Sequence, residues 1–75
     1  MTYNEIVQVI ESLPAQMADV RAKRGLSIRA AAEEANLAHM TWYHIENGDV
    51  SPAADKVVAI LQWLDRQPDY VLAEA

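Results

Sequence analysis

Seventy-five residues, of which 52% are hydrophobic and 23% charged, predict one small globular domain and exclude a disordered chain. The absence of cysteine excludes disulfides and thiolate metal sites. No apolar run approaches the ~18 residues of a membrane span, and no basic stretch and apolar signal core open the chain. We therefore expect a cytoplasmic protein.

The net charge of −5 argues against nucleic acid as a partner, because phosphate binding uses clustered Lys and Arg. The distribution of charge weakens that objection. Residues 20–48 contain four basic and three acidic residues, whereas the remainder contains two basic and eight acidic residues. The basic side chains are thus concentrated in the middle, and the acidic excess at the two ends could face away from DNA.

The N-terminal residues predict a short helix over Tyr3–Glu11. Thr2 followed by Glu5 has the spacing of a capping box. Apolar side chains then recur at helical intervals; they are Tyr3, Ile6, Val7, Ile10 and Leu13.

A second helix is predicted to begin after Ser12 and to run to Arg24. Ser12 is a good N-cap, and Pro14 would stand in the first turn, where its missing N–H is not needed. Gly25 supplies a left-handed stop. The apolar side of this helix would consist of Leu13, Met17 and Val20.

Two very short helices follow, and a tight turn joins them. Ser27 is the predicted N-cap of an alanine-rich helix over residues 28–35. Asn36 is one of the few residues besides Gly that accepts a left-handed backbone, and it predicts the turn. A helical pattern resumes over His39–Asn47, and Gly48 ends it.

A final helix is predicted between Ser51, as its N-cap, and Pro68, which marks its end. Its apolar set is Val57, Val58, Ile60, Leu61 and Leu64, alongside Trp63. The sequence thus predicts an all-α fold, a bundle of about five short helices in a single domain over residues 1–75. Within it, 1–12 form an extra N-terminal helix, 13–66 the core bundle and 67–75 a tail.

The turn at Asn36 between two short helices matches the helix-turn-helix motif. Ala32 stands where the two helices must approach closely. Trp42 and Ile45 fall on the side of the second helix that must pack inward. The opposite, outward side carries His39, Met40, Tyr43 and His44.

These residues resemble the Cro and phage-repressor type of helix-turn-helix regulators, the XRE family, whose fold is lambda-repressor-like. The matching stretch covers Arg21–Leu64, more than half of the chain, and reads RAKRGLSIRAAAEEANLAHMTWYHIENGDVSPAADKVVAILQWL. Its most specific pieces are the Arg-x-x-Arg-Gly-Leu-Ser run from Arg21, the Ala32 and Asn36 turn, Ile45-Glu46-Asn47-Gly48, and Pro52 before the last helix.

The resemblance implies a role for each matching residue. Arg21 would pair with Glu46 and tie the first core helix to the end of the recognition helix. The side chains implied to face bases in the major groove are His39, Met40, Tyr43 and His44. Those implied to lie at the phosphates are Ser27, Thr41 and Asn47, the last together with Gly48.

Phosphate contact is also predicted for Lys23, Arg24 and Arg29 from their position beside the motif. The alternative for these cations is an ordinary solvated face. The sequence departs from the family in having Asn36 where Gly is usual, and in lacking Arg, Lys, Gln or Asn in the recognition helix before Asn47. The usual bidentate partners of guanine and adenine are therefore absent.

No metal, cofactor or enzymatic activity is predicted. His39 and His44 are five residues apart, which is not the three- or four-residue spacing that brings two imidazoles to one metal on a helix. Glu33 and Glu34 are adjacent and point to different sides. No catalytic Ser/His/Asp arrangement or Gly-rich phosphate loop occurs.

The function expected is sequence-specific binding of double-stranded DNA by a transcriptional regulator, a phage- or prophage-type repressor or Cro-like protein. A homodimer on half-sites about 34 Å apart is expected, because one short helix offers a small interface. Either the extra N-terminal helix, with Ile6, Val7, Val9 and Ile10, or the tail around Tyr70–Leu72 could supply the contact. The alternative is an acidic protein-interaction module on a helix-turn-helix scaffold, antitoxin-like or host-factor-binding, with a protein partner.

Overall fold

The computed structural model describes residues 2–67, which form four α-helices and no strand. The helices are α1 (Tyr3–Arg24), α2 (Ile28–Glu34), α3 (His39–Glu46) and α4 (Ala54–Asp65). The all-α class is confirmed for this part of the chain, but the number of helices is four where about five were predicted. The predicted end of the last helix at Pro68 and the predicted tail after Gln67 lie outside the described residues.

The difference arises in α1, which is one helix of 22 residues and not two. The prediction that Ser12 starts a new helix is wrong. Ser12 is itself helical, and its hydroxyl donates to the carbonyl of Val9 at 2.7 Å instead of capping the amides that follow. Pro14 lies inside the helix and supplies no N–H to the carbonyl four residues earlier. The apolar side of α1 runs unbroken past this position, so burial of its C-terminal half offsets the missing bond.

The ends of α1 and the start of α2 follow their sequence signals. Thr2 and Glu5 form the predicted capping box. Gly25 adopts φ 64° and closes α1 in the left-handed conformation. Ser27 caps α2, since its hydroxyl accepts from the amide of Ala30 at 3.0 Å. These local bonds fix the direction in which α2 leaves α1.

The turn between α2 and α3 depends on Asn36, which has φ 60° and is the one non-glycine residue with positive φ among residues 2–67. Its amide donates to the carbonyl of Glu33 at 3.1 Å, and the amide of Leu37 donates to Ala32 at 2.8 Å. Those bonds satisfy the last carbonyls of α2 and reverse the chain within a few residues. The predicted turn residue is therefore confirmed.

The start of α4 differs from its prediction. Ser51 is exposed and does not cap the helix; the N-cap is Ala53, which provides no side-chain bond. Pro52 fits a loop as well as a first helical turn, so the Ser-Pro pair does not by itself locate the first residue. The amide of Val57 makes the first turn with the carbonyl of Ala53 at 2.9 Å.

The core lies where α1, α3 and α4 meet, with α2 packed on α3. Trp42 and Trp63 are both fully buried, and their rings meet edge to face at 4.9 Å between centroids. The other side chains of the buried core are Leu13, Met17, Val20, Ala31, Ala32, Ala35, Leu37, Ile45, Ile60 and Leu64. Three buried alanines on α2 and its C-cap allow that short helix to approach α3 closely. Within the described part, no helix combines the length and apolarity of a membrane span.

Replacing Asn36 tests the turn. Asn36→Val should lower the free energy of unfolding by about 1–2 kcal/mol, because a β-branched residue is strained at positive φ. Asn36→Gly is the matched control and should unfold within about 1 kcal/mol of the parent, since Gly accepts this conformation. Urea titration followed by tryptophan fluorescence measures both. Equal losses for the two variants would mean that the Asn36 side chain, and not its backbone conformation, holds the turn.

Candidate nucleic-acid interface

One side of α3 is exposed to solvent. His39 and Asn47 are exposed, Met40 is 49% and Tyr43 41% exposed, and the side chain of His44 is 44% exposed. At about 100° per residue, these five positions share one arc of the helix. The arc contains no carboxylate.

The opposite side of α3 faces the core. Trp42 and Ile45 are 0% and 1% exposed. Thr41 and Glu46, at the borders of this side, are half-buried. The inward and outward sides predicted from the sequence are thus those observed.

Within the exposed arc, His44 contacts the side chains of Asp49 and Tyr43. Its Nδ1 lies 3.2 Å from Oδ2 of Asp49, in the loop after α3. Its ring meets that of Tyr43 edge to face at 5.4 Å between centroids. Because a carboxylate oxygen accepts, Nδ1 is the donor in this contact, and Nε2 is left for another partner.

A buried carboxylate holds the C-terminal end of α3 against α1. Arg21 donates two hydrogen bonds to Glu46, from Nε to Oε1 at 2.9 Å and from Nη2 to Oε2 at 2.8 Å. The indole N–H of Trp42 donates to Oε1 of the same carboxylate at 2.9 Å. Arg21 Nη1 also donates to the carbonyl of Leu26 at 3.2 Å. Arg21, Trp42 and Glu46 are called the Glu46 cluster below, and they include the ion pair that the family resemblance implies.

A second cluster, also built on an Arg–Glu pair and an indole N–H, holds the end of α2. Arg24 donates two hydrogen bonds to Glu34, from Nη1 to Oε1 at 2.6 Å and from Nη2 to Oε2 at 3.0 Å. The indole N–H of Trp63 donates to Oε1 at 3.0 Å. Arg24 Nη1 also donates to Oε1 of the buried Gln67 at 2.7 Å. Arg24, Glu34, Trp63 and Gln67 are called the Glu34 cluster.

Each carboxylate is held in its ionised form by its arginine. The hydrogen bond from Arg21 lowers the pKa of Glu46, with a further contribution from Trp42 against the opposing effect of burial. The bond from Arg24 likewise lowers the pKa of Glu34, helped by Trp63. Both guanidinium groups have a raised pKa for the same reason.

The cations predicted to contact phosphate differ in how far they are already paired. Arg24 is committed to the Glu34 cluster. Lys23 lies 3.1 Å from Asp19, one turn earlier on α1, and remains largely exposed. Arg29, in the first turn of α2, is exposed and makes no side-chain hydrogen bond or ion pair with any residue from 2 to 67. The positive charge open to a new partner beside the motif is therefore that of Arg29, with Lys23 weakly held.

Sequence reasoning missed the Glu34 cluster and the role of both indole N–H groups. One signal was present. Trp42 and Glu46 are four residues apart, and this spacing brings side chains together on one helix. The pairing of Arg24 with Glu34 crosses between helices and has no such local signal.

Acid titration tests the clusters. Since the native pKa of Glu46 lies below its ordinary value of 4.5, its contribution to stability is complete above that value and is lost as the pH falls through the lowered native pKa. Glu46→Gln should cost on the order of 2 kcal/mol at pH 7. The difference in unfolding free energy between parent and variant should then shrink below pH 4.5.

The matched control for this titration is Glu33→Gln. Glu33 is exposed and makes no side-chain bond within the described part of the chain, so its replacement should leave both the stability at pH 7 and its fall in acid nearly unchanged. A difference between the parent and Glu46→Gln that stays constant from pH 7 to pH 3 would contradict the assigned ion pair.

The geometry above can be compared with known protein families. The model of a family described as a helix-turn-helix domain matches residues 13–73, about four fifths of the chain. Comparisons with curated proteins and with solved structures found no significant match. The family match begins at Leu13, inside α1, and includes all of α2, α3 and α4. The chain belongs to this helix-turn-helix domain family, and both the family and the fold indicate a DNA-binding regulator.

Proposed function

We propose that this chain is a sequence-specific transcriptional regulator of the Cro and phage-repressor type, which lays α3 in the major groove of duplex DNA. The observation that carries the proposal is the exposed arc of α3. In a chain of net charge −5, this arc displays hydrogen-bonding and apolar side chains and no carboxylate. Its opposite side is fixed by Trp42 and the Glu46 cluster.

The side chains of the arc have the chemistry to read base edges. His39 can donate to N7 or O6 of guanine, His44 can present Nε2 to a base edge, and Tyr43 can donate or accept. Met40 can contact a thymine methyl group. These contacts are single bonds and not the two-bond fork of Arg on guanine, so DNA shape should contribute to the choice of site.

Phosphate contacts would orient α3 in the groove. Arg29 is the principal candidate because its charge is unpaired among the described residues, and Lys23 can exchange Asp19 for a phosphate. Ser27, Thr41 and Asn47 offer hydroxyl or amide donors. Arg24, by contrast, would have to give up Glu34 and Gln67 in order to reach DNA.

A homodimer on a two-fold site completes the proposal. An eight-residue helix such as α3 is about 12 Å long and contacts only a few base pairs. Two copies on half-sites about 34 Å apart would double that contact and read a palindrome. Such a regulator would act in the cytoplasm.

One observation favours a second function. The recognition helix has no Arg, Lys or Gln, and the chain is acidic overall. These features suit a helix-turn-helix scaffold that presents the same arc to a protein, such as a toxin or a host factor. In this alternative, the affinity for duplex DNA would be weak at any salt concentration.

A salt series separates the two functions. Binding of the full chain to a fluorescent mixed-sequence duplex should weaken steeply with added salt, because phosphate contacts release counterions. Arg29→Ala should lower the slope of log affinity against log salt by about 1. Fluorescence anisotropy measures both quantities over about 20–200 mM salt, a range in which counterion release dominates the salt dependence.

The matched control is Lys56→Ala, which removes the same charge from α4, outside the helix-turn-helix pair. It should leave the slope within the error of the parent. If the parent fails to bind duplex DNA at the lowest salt, DNA binding is wrong and the protein-interaction module is favoured. If Lys56→Ala reduces the slope as much as Arg29→Ala, the phosphate contact is not located at α2.

A further inference from the structure

The N-terminal half of α1 carries an apolar side that extends beyond the core. Along α1, apolar residues are separated alternately by three and four positions; they are Tyr3, Ile6, Ile10, Leu13, Met17 and Val20. The last three are buried at 0–3% exposure. Tyr3 and Ile6, by contrast, are 79% and 44% exposed. The same stripe is therefore covered by the domain in its second half and open in its first.

The open part is uncharged, although Ile10 and the neighbouring Val7 and Val9 are half-buried. With Val7 and Val9, which flank the stripe, it forms an arc of about 160° on the helix at about 100° per residue. The N-terminal face is defined here as Tyr3, Ile6, Val7, Val9 and Ile10. Glu5 and Glu11 lie outside the arc, and Gln8 is on the opposite side of α1.

The family match begins at Leu13, so the N-terminal face lies outside the matched domain. It is not required to complete the core, whose residues all lie from Leu13 onward. Exposed Tyr3 and Ile6, beside valines that are only half-buried, are costly in water unless something covers them. The position and chemistry of the N-terminal face indicate which partner can cover it.

We propose that the N-terminal face of one chain packs on the same face of a second copy. The alternating three- and four-residue spacing is that of helices that pair along a common seam, and the valines occupy the flanking positions that often carry charge in such pairs. A copy of this acidic chain would be repelled by most of its surface. The N-terminal face brings no carboxylate into the contact, because Glu5 and Glu11 are directed away from its centre.

The pairing would supply the contact between the two copies of the proposed homodimer, and its role rests on that proposed function. Residues 3–12 span about 15 Å of helix, which is too short to bury the roughly 800 Å² per partner of a standard interface. The free chain should therefore dimerise weakly. Two copies already bound to adjacent half-sites would pair readily, because their effective concentration is then on the order of millimolar.

Sedimentation of the full chain without DNA tests the contact. The apparent mass should rise from monomer toward dimer as the concentration approaches the millimolar range. Ile6→Glu places a charge in the centre of the face and should weaken dimerisation about tenfold or more, because burying an unpaired charge is costly. Gln8→Glu adds the same charge two residues away, on the opposite side of α1, and should leave the mass distribution unchanged. Circular dichroism checks that both variants remain folded.

Cross-linking gives a second measurement that does not depend on a destabilising charge. The chain contains no cysteine, so Ile6→Cys and Gln8→Cys each introduce a single thiol. Mild oxidation should join Ile6→Cys into a covalent dimer much faster than Gln8→Cys, because only the former would lie at a two-fold contact.

Each outcome decides the proposal. A mass that grows with concentration and is reduced by Ile6→Glu alone supports it. A dimer that Ile6→Glu leaves intact would place the contact elsewhere and overturn it. A monomer at every concentration, with equal cross-linking of the two cysteine variants, would also overturn it and would favour a different protein or residues 68–75 as the cover. Because no DNA is present, none of these results depends on whether the chain binds a duplex.

Discussion

The buried carboxylate of Glu46 is the constraint on which the rest of this structure depends. It lies at the last residue of α3 and accepts from Arg21 on α1 and from the indole of Trp42 on α3 itself. Those bonds fix both the position of α3 and its rotation about its own axis. Rotation is what matters for function, because it decides which side chains of an eight-residue helix meet the solvent.

The two tryptophans explain why a chain this small has charged groups at the border of its core. Large aromatic side chains supply much of the apolar area that 75 residues can bury, but each indole brings an N–H that must find an acceptor. Glu46 and Glu34 provide those acceptors, and Arg21 and Arg24 keep them ionised. Among residues 2–67, no buried side-chain nitrogen or oxygen lacks a partner. The same two clusters thus complete the core and join α1 to α3 and to α2.

Features with a local cause could be predicted from the sequence, and features that arise between helices could not. The left-handed turn at Asn36 and the inward side of α3 follow from backbone preference and periodicity. The sequence did not predict that α1 is continuous. Ser12 followed by Pro14 is compatible both with the start of a helix and with the interior of a helix that packing stabilises. Arg24 was expected at phosphates, yet its bond to Glu34 depends on how α1 and α2 meet in three dimensions.

We propose that the Glu46 cluster holds α3 so that its exposed arc can meet the major groove. Amide chemical-shift mapping of the labelled full chain, titrated with a mixed-sequence duplex at low salt, tests it most directly. We expect the largest changes at residues 39–47 and at Arg29. Changes concentrated on α4, or shifts absent along α3 while the duplex is bound, would contradict the claim.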